Sequence, residues 1–90
     1  MKARAKVEIV NERGLHARAS AKFVKLAGAF SAHTQVTRDE NTVDALSIMG
    51  LMMLAAGPGS VIEIVSEGDD AEAAVEALVK LVAGRFEEER

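Results

Sequence analysis

His16 and Arg18 stand two residues apart behind Gly14. An imidazole is a nucleophile in its neutral form, and a guanidinium presents a planar fork of donors that matches phosphate. Together they suit the transient holding of a phosphoryl group on a ring nitrogen. The acceptor ring has to be neutral, and a nearby positive charge disfavours imidazolium. The product gains negative charge, which the same positive charge then stabilises. The P–N bond of a phosphohistidine is labile, so such a site passes its group on.

The elements around these residues have to place them. Ala3, Ala5, Val7 and Ile9 alternate with Lys2, Arg4, Lys6 and Glu8, which reads as a half-buried strand. Asn11-Glu12-Arg13-Gly14 is a polar break. Ala19, Phe23, Leu26 and Phe30 then recur at helical spacing, so a helix begins directly behind the histidine. His16 falls at or next to its N-cap. Helix starts leave four N–H groups without intrahelical partners and carry positive potential, which suits an anion. The N–H groups of Ala17 and Arg18 are the candidates to bind it. Arg18, Lys22 and Lys25 share one helix face. Arg18 and Lys22 suit the steering of an acidic partner protein; Lys25 reads as a solvated charge.

Further along, Ala32, Thr34 and Val36 alternate with His33, Gln35 and Thr37 as a strand. Arg38-Asp39-Glu40-Asn41 turns into a short return strand, Thr42–Ala45. His33 has no companion ligand and reads as a half-exposed strand residue. Ser47 occupies an N-cap position before Ile48-Met49-Gly50-Leu51-Met52-Met53-Leu54. That segment is apolar nearly all round, which a short helix in a small domain cannot bury completely. Leu51 and Leu54 are expected to face inward, leaving Ile48, Met49 and Met52 as a docking patch. Methionine adapts to differently shaped partners, and three of the chain's 4 methionines lie in this stretch. Ala55–Ser60 is a loop and Val61–Val65 a strand. Asp69 and Glu72 sit at capping-box spacing before a last helix, whose buried stripe is Ala71, Ala74, Val75, Leu78, Val79 and Val82. Gly84 is expected to end it, and Glu87–Arg90 to fray. The order β-α-β-β-α-β-α points to an α+β fold, an antiparallel sheet with helices on one face.

Two segments resemble a known family. Gly14-Leu15-His16-Ala17-Arg18-Ala19-Ser20 is similar to the active-site segment of the HPr histidine phosphocarriers of the bacterial phosphoenolpyruvate-dependent phosphotransferase system. Ser47-Ile48-Met49-Gly50-Leu51-Met52 is similar to that family's regulatory-serine and docking helix. The spacing and total length agree, so the resemblance covers essentially the whole chain. It implies an open-faced β-sandwich, a four-stranded sheet under three helices. It implies phosphorylation of His16 at Nδ1 by phospho-enzyme I and transfer to a histidine of an EIIA-type protein. The residues alone leave the choice of ring nitrogen open. The resemblance further implies that Ser47 is the target of an ATP-dependent HPr kinase/phosphorylase. A carrier that docks in turn with two partners is expected to be monomeric. Gly28-Ala29-Phe30, Asp39-Glu40 and Leu51-Met52-Met53-Leu54 lean toward the nitrogen-regulatory, NPr-like branch. Ala19 stands where many members have proline, and Leu46 where many have lysine.

Composition sets compatible bounds. The 90 residues suit one domain over 1–90, and 49% apolar content supplies a core. The chain has no cysteine, which removes disulfides, thiol nucleophiles and cysteine metal sites and suits the cytoplasm. A net charge of -3 without Trp or Tyr argues against nucleic-acid binding. No apolar run reaches spanning length, so membrane insertion is not expected. The Gly57-Pro58-Gly59 loop lacks the GxxxxGK[ST] pattern, and no cofactor or metal set is legible. Two other classes share the pattern. One is a docking module in which His16 only caps a helix. The other is an acylphosphatase-like hydrolase, whose anion-cradling loop with a water-positioning Asn or Gln the sequence does not present.

Overall fold

A computed structural model describes residues 1–89. The elements are β1 (Lys2–Glu8), α1 (Ala17–Ala27), β2 (His33–Arg38), β3 (Asn41–Asp44), α2 (Ile48–Met53), β4 (Val61–Glu67) and α3 (Ala71–Ala83). All strand pairings are antiparallel, in the order β1-β4-β2-β3. This is the α+β arrangement of a four-stranded sheet and three helices that the sequence pattern and its family resemblance imply.

Alternation along the strands builds a two-faced sheet. One face sets Ala5, Ile64, Val36 and Val43 in one row and Val7 beside Ile62 in the next. Ile62, Ile64 and Val36 are fully buried there beneath Phe23, Leu51, Leu78 and Val82 of the helices. The other face carries Lys6, Glu63 and Thr37 in register, with Arg4 opposite Val65. Thr34 and Ser66 face each other on the inner side, and their hydroxyls pair at 2.9 Å, so neither buried oxygen lacks a partner.

The last helix starts differently from the capping box expected of Asp69 and Glu72. Its N-cap is Asp70, which makes no side-chain bond to the helix. The Asp70 carboxylate instead accepts from the N–H of Ser31 at 2.9 Å and of Ala32 at 2.7 Å, tying α3 to the entry of β2. The Ser31 N–H, joined by those of Ala32 and of Asp70 itself, holds this carboxyl below its ordinary value against the opposing effect of burial. A depressed folded-state carboxylate stabilises above its unfolded value, and that contribution fades as pH falls through the folded value. Wild type is therefore expected to outlast Asp70→Asn in urea at neutral pH, with the gap closing in acid. A gap constant with pH would remove the charge from the explanation.

The chain after α3 does not fray at Glu87 to Glu89 as expected; Arg90 lies outside the described residues. Gly84 ends the helix, and Arg85, Phe86 and Glu87 follow with φ of 60°, 54° and 66°. A left-handed non-glycine residue costs about 1–2 kcal/mol. Phe86 offsets part of the cost of the three by being fully buried against the core, where a phenylalanine contributes roughly 1.5–3 kcal/mol.

Candidate functional site

Two segments converge on His16, and a third lies beside α1. The first is its own approach. Asn11 O accepts from the Gly14 N–H at 3.2 Å, closing a turn. Gly14 has φ +63°, and a Cβ on it would lie 2.3 Å from Ala56 O. That close approach lets the Leu15 N–H bond Ala56 O at 3.0 Å, with the Leu15 side chain in the core. The backbone then enters α1 with His16 as an extended N-cap, φ -76° and ψ -179°.

The ring is held at both nitrogens. Nδ1 accepts from the Arg18 N–H at 3.3 Å, and Nε2 lies 2.6 Å from Glu88 Oε2. A backbone N–H can only donate and an ionised carboxylate can only accept. Both contacts are satisfied by one neutral tautomer, with the proton on Nε2 and a lone pair on Nδ1 at the helix start. The Ala17 N–H has no partner among the described residues, and Arg18 is exposed with no ion pair among them. An anion on Nδ1 would therefore meet two backbone donors and a free guanidinium.

The second segment is the C-terminal turn. Glu88 sends its other oxygen to Asn11 Nδ2 at 3.2 Å, and the same amide donates to Gly14 O at 2.9 Å. Burial pushes the Glu88 carboxyl up. The hydrogen bonds from His16 and Asn11 and the positive charge of Lys22 outweigh it, so the group rests below the ordinary glutamate value. Lys22, expected as a steering and docking charge, is engaged: Nζ donates to Phe86 O at 2.8 Å and pairs with Glu87 at 3.6 Å. Around the ring lies an open groove of about 550 Å³ lined by charged residues of both signs.

The third segment is α2. The Ser47 side chain caps it, accepting from the Gly50 N–H at 2.9 Å. Leu51 and Leu54 are buried, whereas Ile48, Met49 and Met52 are 42%, 70% and 40% exposed, the division expected from the sequence. Leu46 and Met53 extend this strip at 56% and 79%. Leu46 lies near Gly28 at one end of α1, and Ala56 bonds Leu15 at the other. The apolar strip thus runs beside α1 toward the histidine end.

Asn11 and Glu88 do not stand out in the sequence. Phe86, an apolar residue amid Arg85, Glu87, Glu88 and Glu89, is the one signal there that the tail is anchored. His33 opens β2 with its side chain 60% exposed and Nε2 3.8 Å from Asp44. Among the described residues no group of three or more His, Cys, Asp or Glu could hold a metal ion, and no helix is long and apolar enough to cross a membrane.

Comparison with known proteins gives a consistent result. Residues 3–84 match the family model "PTS HPr component phosphorylation site". The chain is 51% identical over 80 residues to the phosphocarrier protein HPr of Cupriavidus necator, covering 89% of this chain and 90% of that one. It is 42% identical over 82 residues to the phosphocarrier protein NPr of Shewanella violacea, covering 91% and 90%. The crystal structure of HPr-C-His from Thermoanaerobacter tengcongensis superposes with a TM-score of 0.93 at 44% identity, over 98% of this chain and 99% of that one.

Proposed function

This chain belongs to the HPr family of the phosphotransferase system, and from that footing we propose that it is a single-domain, cytoplasmic histidine phosphocarrier. His16 accepts a phosphoryl group at Nδ1 from phospho-enzyme I and passes it to a histidine of an EIIA-type protein. The observation that carries the nitrogen assignment is the paired contact on the ring: Glu88 takes the proton side, and Nδ1 keeps its lone pair at the start of α1. The attacking lone pair is the one that now accepts from the Arg18 N–H. Once Nδ1 bears phosphorus, that N–H and the one on Ala17 are left to phosphoryl oxygens, and the Arg18 guanidinium adds a mobile charge. An exposed arginine holds the group without trapping it, as a carrier requires. Incubation with enzyme I and phosphoenolpyruvate tests this: an acid-labile, base-stable phosphate resolved at Nδ1 by phosphorus and nitrogen NMR is expected. No incorporation with a matched enzyme I would overturn it.

Ile48, Met49 and Met52, with Leu46 and Met53, form the surface that meets these partners. Ser47 sits at the edge of that strip and is the site of regulatory phosphorylation by an HPr kinase/phosphorylase. A phosphate there brings roughly -1.5 to -2 charges. It lands beside Asp44, whose backbone oxygen accepts from the Ser47 N–H at 3.0 Å. An acidic partner is then repelled. Ser47→Asp is expected to slow uptake from phospho-enzyme I several-fold, since close like charges cost about 1 kcal/mol or more. Uptake at the unmodified rate would end the regulatory assignment.

A further inference from the structure

Glu88 lies beyond the 3–84 span that matches the family model, yet it makes the 2.6 Å contact to the ring. We propose that Glu88 is a positioning residue for phosphoryl transfer: it locks the His16 ring as the Nε2–H tautomer and stabilises the positive charge the ring acquires when Nδ1 is phosphorylated. This rests on His16 being the phosphate acceptor.

The contact is built rather than incidental. It is reached only through three successive left-handed residues, an unfavourable backbone held by fully buried Phe86 and by Lys22 on the Phe86 carbonyl. Both oxygens of the carboxylate are engaged, one by His16 and one by Asn11. Asn11 is completely buried, and its Nδ2 is claimed by Gly14 O and Glu88 Oε1 at once. That orientation leaves Asn11 Oδ1 buried with no hydrogen-bond partner. An orphaned buried acceptor opposes stability. The same amide orientation serves the Gly14 carbonyl and the Glu88 carboxylate together, so the approach to His16 and the C-terminal turn are fastened by one side chain.

The chemistry explains what is gained. The Nδ1 lone pair attacks phosphorus, and the bond from phosphorus to the donor breaks, its electron pair staying with the donor. The ring keeps the Nε2 proton and becomes cationic. The Glu88 carboxylate, its side chain 17% exposed, lies against that proton. On transfer to the acceptor the P–N bond breaks and the ring leaves as neutral imidazole, a better leaving group than imidazolate. Other charges in the groove are Glu12, Arg13, Arg18, Lys22, Glu87 and Glu89. Of these, Lys22 is paired with Glu87 and the Phe86 carbonyl, and only the backbone of Arg18 bonds the ring.

Two variants separate the hydrogen bond from the charge. Glu88→Gln keeps an acceptor, and Glu88→Ala removes it. In 15N-labelled protein the His16 Nε2 proton is expected as a hydrogen-bonded signal in wild type and Glu88→Gln, and lost to exchange in Glu88→Ala. Phosphoryl uptake from phospho-enzyme I is expected to fall roughly tenfold in Glu88→Ala and less in Glu88→Gln, on the scale of a charge-assisted hydrogen bond. Onward transfer in both variants is expected to fail at lower pH than in wild type, because the ring proton is held less firmly. Absence of the Nε2 signal in wild type, or wild-type uptake and pH profile in Glu88→Ala, would overturn this inference alone. Absence of uptake by wild type would overturn the carrier reading and this inference with it.

Discussion

A Gly14→Ala variant is expected to lose a large part of its stability. The added Cβ would stand 2.3 Å from Ala56 O and 2.8 Å from Gly57 Cα, both backbone atoms, at a φ of +63°. Ala56 cannot withdraw freely. Its oxygen holds the Leu15 N–H, and two further bonds, Ile9 N–H to Ser60 O and Gly59 N–H to Ile9 O, each 2.8 Å, fasten the same loop to the end of β1. Left-handed strain and the clash together cost on the order of 3 kcal/mol or more. A domain of this size has roughly 5–13 kcal/mol in total. Gly57→Ala is the internal control: its φ is ordinary and a Cβ there meets nothing within 4 Å. Urea unfolding should show a much lower midpoint for Gly14→Ala and a nearly unchanged one for Gly57→Ala. Equal midpoints would mean the loop yields. Gly14 stands two residues before His16, so the surviving folded fraction should also accept phosphate poorly.

Removal of His16 is expected to abolish phosphate acceptance altogether. His16→Ala also deletes the N-cap acceptor of α1, at about 1 kcal/mol, and leaves Glu88 without its closest partner. His16→Asn is the cleaner variant, because asparagine is a good N-cap and has no nucleophilic ring. Both should unfold cooperatively, His16→Asn near the wild-type midpoint and His16→Ala below it, yet neither should incorporate phosphate from phospho-enzyme I. His33→Ala, which removes the other histidine at an exposed strand position, should incorporate normally. Acceptance by His16→Asn would move the chemistry to another residue and sink the carrier assignment.

The parts of the site made by neighbours along the chain are legible in the amino-acid sequence. His16, Ala17 and Arg18 lie within one turn of α1, where N-cap geometry and helix polarity follow from local rules. Ser47 and Gly50 form a local cap of the same kind. The inward turn of Leu51 and Leu54 follows from helical period and from the limited area a small domain can cover. Even the strand alternation needs only period two.

Other expectations fail where distant chain decides. Asp69 and Glu72 have the spacing of a capping box, but the N-cap falls at Asp70, whose carboxylate the N–H groups of Ser31 and Ala32 claim. Lys22 reads as a free surface charge until the C-terminal turn offers it a carbonyl. The charged tail reads as frayed because Glu87 to Glu89 show no period, and Phe86 alone supplies the anchor.

By itself, then, the sequence determined the place of His16 at a helix start beside Arg18, the apolar strip and the alternating strands. Each of these depends on contacts between residues a few positions apart, which periodicity and capping chemistry record. Only the tertiary structure decided the β1-β4-β2-β3 order, the meeting of Gly14 with Ala56, and the grip of Glu88 on Nε2 across 72 residues of sequence. Contacts at such separations leave no local pattern. They arise when core burial, chiefly of Phe86, brings segments together whose polar groups then have to find partners.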